Sequence, residues 1–215
     1  MAGEFEKALL KSLTALHISL PADRLAALSR YYGLLREWNS KISLTALTDP
    51  LDMAEKLFAD SLFLLKFLHN RETLLDLGSG AGFPGLALKI AKPELTVHLV
   101  DSVRKKVSFL KQVILELGLL GVEASHARLG EPSPDAPPQR FDAVTFRAVG
   151  PIRELSGLVL PYLEPGGFVL AMKGPHVENE ELDSLDSSLT VREIVRYTLP
   201  QLSVPRSVVI LEKAG

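Results

Sequence analysis

The sequence contains no cysteine. That excludes a disulfide framework, cysteine-rich zinc sites and a thiol nucleophile. No apolar run approaches the roughly 20 residues of a membrane-spanning helix. The opening stretch MAGEFEKALLKSL sets Glu4, Glu6, Lys7 and Lys11 among its apolar residues. It lacks the basic-then-apolar order of a secretion signal, so the cytoplasm is the expected location. An excess of charge is missing too: 24 Lys and Arg against 26 Asp and Glu leave a formal net charge of −2. Global charge therefore does not draw the chain to nucleic acid, and such binding has to come from a local basic patch. His17, His69, His98, His126 and His176 show no metal-ligand spacing, and no metal is expected.

What is present is an ordinary globular composition: 215 residues, 47% hydrophobic and 23% charged. A chain of this size buries a sufficient core without staples. Residues 1–70 read as a helical N-terminal extension. Phe5, Leu9, Leu10, Leu13 and Leu16 recur at helical spacing, as do Leu25, Leu28, Tyr31, Tyr32, Leu35 and Trp38 after Pro21. Asp49-Pro50 reads as an N-cap and first-turn proline, opening a third helix through Leu57, Leu62, Leu65 and Leu68. Residues 71–215 read as the core, with strands and helices alternating. Strands are expected at Thr73–Leu77, Thr96–Val100, Val122–His126, Ala143–Phe146 and Gly167–Met172. Helices are expected at Pro84–Ala91, Val103–Leu117 and Ile152–Leu163. Repeated βα units predict a doubly wound α/β fold with a mostly parallel sheet. Thr190–Leu199 and Val204–Leu211 read as a closing antiparallel hairpin. Glu131–Gln139 is too rich in proline for either element.

The informative segment runs Asp76-Leu77-Gly78-Ser79-Gly80-Ala81-Gly82-Phe83-Pro84-Gly85. A buried strand enters a glycine-rich turn, and a helix follows. Glycines allow the sharp turn and let a ligand lie against the backbone. Two ligand classes use this geometry. A dinucleotide rests its pyrophosphate on the helix N-terminus, and Gly80-Ala81-Gly82-Phe83-Pro84-Gly85 matches its G-x-G-x-x-G pattern. S-adenosylmethionine carries no phosphate but has a cationic ammonium. Asp76 beside Gly78 repels a pyrophosphate and attracts an ammonium. Asp101, about twenty residues past the glycines at the end of the next strand, is placed for ribose hydroxyls in either ligand. The bland alternative is a structural turn with two strand-end acids; the joint arrangement in one βαβ unit speaks against it.

With those residues in place, nearly the whole chain resembles the bacterial small-subunit ribosomal RNA methyltransferase G family, also called glucose-inhibited division protein B. The resemblance lies in Glu37-Trp38-Asn39-Ser40-Lys41-Ile42-Ser43-Leu44-Thr45, Asp60-Ser61, Asp76–Gly85, Val100-Asp101-Ser102, Phe109-Leu110, Phe141-Asp142, Arg147-Ala148 and Ala171-Met172-Lys173-Gly174. It implies a Rossmann-like class I methyltransferase fold with a seven-stranded sheet. It also implies methyl transfer from S-adenosylmethionine to guanine N7 of 16S ribosomal RNA. Cofactor contacts are expected from Asp76, Gly78, Gly80, Gly82, Phe83, Asp101, Leu129, Gly130 and Arg147. Ser43 stands where the family has asparagine, Leu57 where it has histidine, and Leu129-Gly130 where its pair ends in an acid.

N7 is already a nucleophile and carries no proton, so positioning is expected to dominate over acid–base chemistry. The missing cysteine excludes covalent C5-pyrimidine methylation. Phe146-Arg147-Ala148-Val149 stands where exocyclic amino methyltransferases carry Asp/Asn-Pro-Pro-Tyr. Arg147 either positions substrate or caps the sheet end with a salt bridge. Arg104, Lys105 and Lys106 either grip RNA phosphates or form a solvated helix face. Asn39, Lys41 and Thr45 are RNA contacts or caps, and Lys173 faces RNA or solvent. Trp38, at helical spacing, reads as packing. The expected partner is small-subunit ribosomal RNA, within the subunit, bound by a monomer. The rivals are a methyltransferase for small molecules or proteins, and a nucleotide-binding module without methyl transfer.

Overall fold

The computed structural model describes residues 2–128, 130–131, 135–137, 140–147, 150–177, 182 and 185–213. Seven strands form one sheet: β1 (Thr73–Leu77), β2 (Thr96–Asp101), β3 (Val122–His126), β4 (Phe141–Arg147), β5 (Leu163–Lys173), β6 (Leu189–Leu199) and β7 (Val204–Lys213). Their order is β3-β2-β1-β4-β5-β7-β6. The first five are parallel, whereas β7 runs antiparallel between β5 and β6. The expected closing hairpin is therefore part of the sheet. The strand order reverses direction between β1 and β4, so a crevice opens at their carboxyl ends.

Alternation along the strands sends side chains to two cores. Leu74, Val97, Leu99, Leu170 and Ile210 face one layer of helices. That layer holds α1 (Ala2–Ala15), α2 (Ala22–Asn39), α5 (Gly85–Ala91) and α6 (Arg104–Glu116). Leu75, Val100, Val144, Val169 and Leu211 face α7 (Ile152–Val159) on the other side. In α1, Phe5, Leu9, Leu13 and Leu16 are buried as the spacing predicts, but Leu10 points outward and is 53% exposed.

The third helix is less regular than its apolar spacing suggests. It starts at Pro50 with Asp49 capping Leu51 and Asp52, as expected from Asp-Pro. It then widens into a π-helical turn at Ala54–Ala59, passes through α4 (Asp60–Leu62) and tightens into a 3₁₀ turn at Phe63–Phe67. The label α3 is kept for Pro50–Met53. Likewise, α7 ends at Val159 and a 3₁₀ turn, Leu160–Tyr162, carries Pro161 into β5.

Strand β5 begins four residues before the expected Gly167. Leu163 pairs with Phe141 across a bulge, and regular pairing resumes at Ala143 with Phe168. The bulge region is tied to β1. Asp142 Oδ2 accepts from the backbone N–H groups of Glu72 and Thr73 at 2.9 and 3.0 Å, and from the Thr73 hydroxyl at 3.1 Å. Partial burial works against the Asp142 anion, but these donors outweigh it and hold the carboxyl below its usual pKa. A depressed carboxyl pKa adds stability above about pH 4 that is lost as pH falls through the folded value. Asp142→Asn is expected to lower the melting temperature by about 2–4 °C at pH 7. The difference should narrow as melts are taken below pH 4, and a gap that does not change with pH would contradict this account.

Candidate active site

The glycine loop joins β1 to α5 at the carboxyl edge of the sheet. Gly78, Gly80 and Gly82 have φ of +67°, +58° and +93°, the left-handed region that favours glycine. The backbone N–H groups of Gly78 and Ser79 both donate to Val100 O, at 2.8 and 3.0 Å. The Gly80 N–H donates to Asp101 Oδ2 at 2.8 Å, and Val103 N–H to Oδ1 at 2.8 Å. Asp101 thus fixes both the loop and the entry to α6. Asp101 also lines a cavity of about 190 Å³ with Leu77, Gly78, Val100, Ala127 and Leu158.

The glycines divide by function. A Cβ on Gly80 would meet nothing nearer than Gly78 O at 3.8 Å, so that side of the loop is open. A Cβ on Gly82 would come within 2.7 Å of Leu86 Cδ1 and nearer still to the Tyr31 hydroxyl. That hydroxyl donates to Ala81 O and anchors the loop to α2. On Gly85 a Cβ would come within 2.6 Å of Asp76 Oδ2. Gly80 therefore borders open space, whereas Gly82 and Gly85 permit close packing.

Asp76 is fully buried beneath the loop. Its Oδ2 accepts from Gly85 N–H at 2.9 Å, while Oδ1 is buried with no partner. Burial, with the nearby Asp101 charge, raises its pKa to about 7, against the opposing pull of the Gly85 N–H, the Ser79 hydroxyl and the Arg147 charge. A half-satisfied buried carboxylate is suited to a cationic ligand group.

A second cavity, about 340 Å³, opens at the ends of β4 and β5. Arg147, Lys56, Asp60, Lys173 and Arg206 supply its charged groups. Arg147 Nη1 donates to Lys56 O at 3.0 Å, and the guanidinium carbon lies 5.6 Å from the centre of the Phe83 ring. Phe83 itself is buried, stacked on Tyr31 at 5.2 Å and edge-on to Phe58 at 4.9 Å. Its ring is a wall of the core, and its backbone N–H donates to Ser79 O at 3.0 Å within the loop.

Other expected site residues lie further out. Asn39 closes the turn after α2: its Oδ1 accepts from Leu44 and Thr45 N–H, and its Nδ2 donates to Thr45 O. These hydrogen bonds hold the turn closed. Lys41 pairs with Glu37 on an exposed helix end at 2.7 Å. Arg104 and Lys105 are exposed at the start of α6, and Arg104 borders a cavity with Lys111 and His126. Lys173 donates to Gly150 O at 3.3 Å. Trp38 packs on Phe109 at 5.6 Å. Gly130 has φ +83°, and a Cβ there would approach Leu158 Cδ2 to 2.9 Å; Leu129 lies outside the described residues. Lys56, Asp60 and Arg206 were not singled out as site residues from sequence. Asp60-Ser61 stood among the family-like segments, but nothing local marks Arg206.

A profile of the family described as rRNA small subunit methyltransferase G matches residues 24–209. The chain is 41% identical over 214 residues to the "Ribosomal RNA small subunit methyltransferase G" of Myxococcus xanthus (strain DK1622), covering 98% of each. The chain belongs to this family. Another member, from Streptococcus sanguinis (strain SK36), is 42% identical over 193 residues, 86% of this chain and 81% of that one. Membership makes the protein a methyltransferase with S-adenosylmethionine as methyl donor. Solved structures share the fold at low identity. N-methyltransferase NodS from Bradyrhizobium japonicum WM9, in complex with S-adenosyl-L-homocysteine, superposes with a TM-score of 0.60 at 14% identity, over 84% of this chain and 99% of that one. TrmN from Thermus thermophilus gives 0.59 at 19% identity, over 83% and 52%. Among the described residues no helix is long and apolar enough to cross a membrane, and no acid, histidine or cysteine cluster could hold a metal.

Proposed function

We propose that the chain performs its family's reaction across the crevice between the glycine loop and the Arg147 cavity. The reaction is transfer of a methyl group from S-adenosylmethionine to N7 of a guanine in 16S ribosomal RNA. The residues present fit the cofactor. Gly80 leaves the loop open to it, the unpartnered Asp76 Oδ1 suits its ammonium, and Asp101 borders the neighbouring cavity at the position for ribose hydroxyls. Gly78, Gly82, Phe83 and the Leu129-Gly130 turn would frame it. The cofactor supplies a methyl group on a cationic sulfonium.

The protein's own task is geometric. Guanine N7 attacks with a lone pair in the base plane, and no proton has to leave. The N–C bond forms as the S–C bond breaks, and positive charge moves to the base. Catalysis then requires in-line placement and exclusion of water. Arg147, at the end of β4, lines the second cavity and sets its guanidinium over the ring of the loop residue Phe83, and this placement carries the reading. Its fork can hold a guanine edge or an adjacent phosphate while the loop holds the donor. Lys173 lines the same cavity, and Arg104, Lys105 and Lys41 would meet phosphates further out; Asn39 would act by shaping the Lys41–Thr45 turn. With net charge −2, shape and protein contacts in the assembled subunit would supplement phosphate attraction. The enzyme is read as a cytoplasmic monomer acting on that particle. Label from S-adenosylmethionine should enter 16S RNA in unmodified subunits faster than in protein-free RNA. Label confined to proteins or small molecules would contradict the substrate reading.

Asp76 also sets a pH dependence. With a pKa near 7 in the free protein, it is mostly neutral at pH 6, whereas an ammonium prefers the anion. Cofactor affinity should therefore rise with pH by up to about tenfold per unit between pH 5.5 and 7. The sign for stability is opposite: the contribution of a raised carboxyl pKa is complete below the unfolded value and lost as pH rises toward 7. Calorimetric titrations across that range test this, and a pH-independent Kd would contradict it.

A further inference from the structure

Asp60 is 3% exposed, and its carboxylate gathers donors from distant parts of the chain. Tyr197 of β6 donates its hydroxyl to Oδ1 at 2.6 Å. Arg206 Nε of β7 lies 3.6 Å from the same oxygen. Arg147 Nη1 lies 3.6 Å from Oδ2. The same Nη1 donates to Lys56 O, within the π-helical turn that delivers Asp60. Such widened turns recur where a helix has to present groups at a functional site. The Tyr197 ring is stacked on Phe63 at 3.8 Å and 12°, so its hydroxyl has a fixed direction.

Arginine is long and rich in rotamers, and a freely moving guanidinium holds a base poorly. Here it is fixed at three places: Asp60, Lys56 O and the Phe83 ring. Asp60 is itself fixed by Tyr197 and Arg206. Methylation also makes the guanine cationic. A bare guanidinium beside it would oppose the reaction, whereas a guanidinium matched by a buried carboxylate does so less. We propose that Asp60, Tyr197 and Arg206 are positioning residues that aim Arg147 at the guanine. The C-terminal hairpin is then part of the reaction machinery. This rests on the reading of Arg147 as substrate-facing.

Tyr197→Phe keeps the stacked ring and removes one hydroxyl. It is expected to lower kcat on unmodified subunits about tenfold, with cofactor Kd changed by less than about twofold. Asp60→Asn should lower kcat about a hundredfold. If the residues act through Arg147, Tyr197→Phe should cost less than about twofold in an Arg147→Lys background. A purely structural role would lower the melting temperature and leave the kcat of folded enzyme unchanged. Wild-type kcat in Tyr197→Phe, or an undiminished loss in the Arg147→Lys background, would overturn the proposal. Failure of the unaltered enzyme to methylate subunits would instead overturn the substrate reading. In that case, the Arg147 Nε–H resonance decides the positioning claim: faster solvent exchange in Tyr197→Phe supports it, and unchanged exchange overturns it.

Discussion

Replacing Arg147 by alanine is expected to lower kcat/KM on unmodified small subunits by two to three orders of magnitude, about 3–4 kcal/mol of transition-state stabilisation. Three losses combine. The guanine or its phosphate loses a forked donor. Asp60, which is buried, loses one of its two guanidinium neighbours. The cover over Phe83 is also removed. The cofactor side should lose less: the Gly80–Asp101 and Gly85–Asp76 hydrogen bonds persist without Arg147, and what goes is its charge near Asp76 and any direct contact of its own with the cofactor. Initial rates on subunits, paired with calorimetric cofactor titrations, separate the two sides. A kcat/KM that stays within about threefold of wild type would remove Arg147 from the reaction.

The glycine loop makes the second large prediction. Gly82→Ala imposes φ +93° on an L-residue and drives a methyl group into Leu86 and the Tyr31 hydroxyl. Backbone strain and overpacking together should cost about 3–5 kcal/mol, a fall of about 8–15 °C in melting temperature. Gly80→Ala differs in kind. Its φ of +58° costs about 1–2 kcal/mol, and the added Cβ meets open space. That space is assigned to the cofactor, so Gly80→Ala should melt only a few degrees low yet bind S-adenosylmethionine at least about thirtyfold more weakly. Equal melting temperatures for the two variants, or unimpaired binding by Gly80→Ala, would contradict the division of the loop.

The fold was legible where one rule acted alone. Short segments bounded by turn and helix signals placed β1 and β3 to the residue. The joint pattern of Asp76, the glycines and Asp101 located the loop. Legibility failed where a tertiary contact overrode local preference. Leu163, expected as the end of the preceding helix, instead enters β5 by pairing with Phe141, and the register shifts before pairing resumes at Phe168. Leu10 satisfies helical spacing but lies on the outer face of α1. The widened turn at Ala54–Ala59 leaves no mark on apolar spacing. The site divides in the same way. The loop and its acids are close in sequence and share one βαβ unit, so they declare themselves. Arg147 and Arg206 come together because β4, β5 and β7 are neighbours in the sheet, and α4 brings Asp60 to both. Their separations in sequence hide that meeting. Asn39 shows the converse: a polar residue in a family-like segment whose amide is occupied by the turn beside it.

The most direct test of the account is the chemical identity of the methylated nucleoside. Unmodified small subunits would be incubated with the enzyme and S-adenosylmethionine carrying a labelled methyl group, and the 16S RNA digested to nucleosides. The account predicts label in 7-methylguanosine, and its loss in Arg147→Ala despite retained cofactor binding. Label in any other nucleoside, or undiminished 7-methylguanosine in Arg147→Ala, would contradict it.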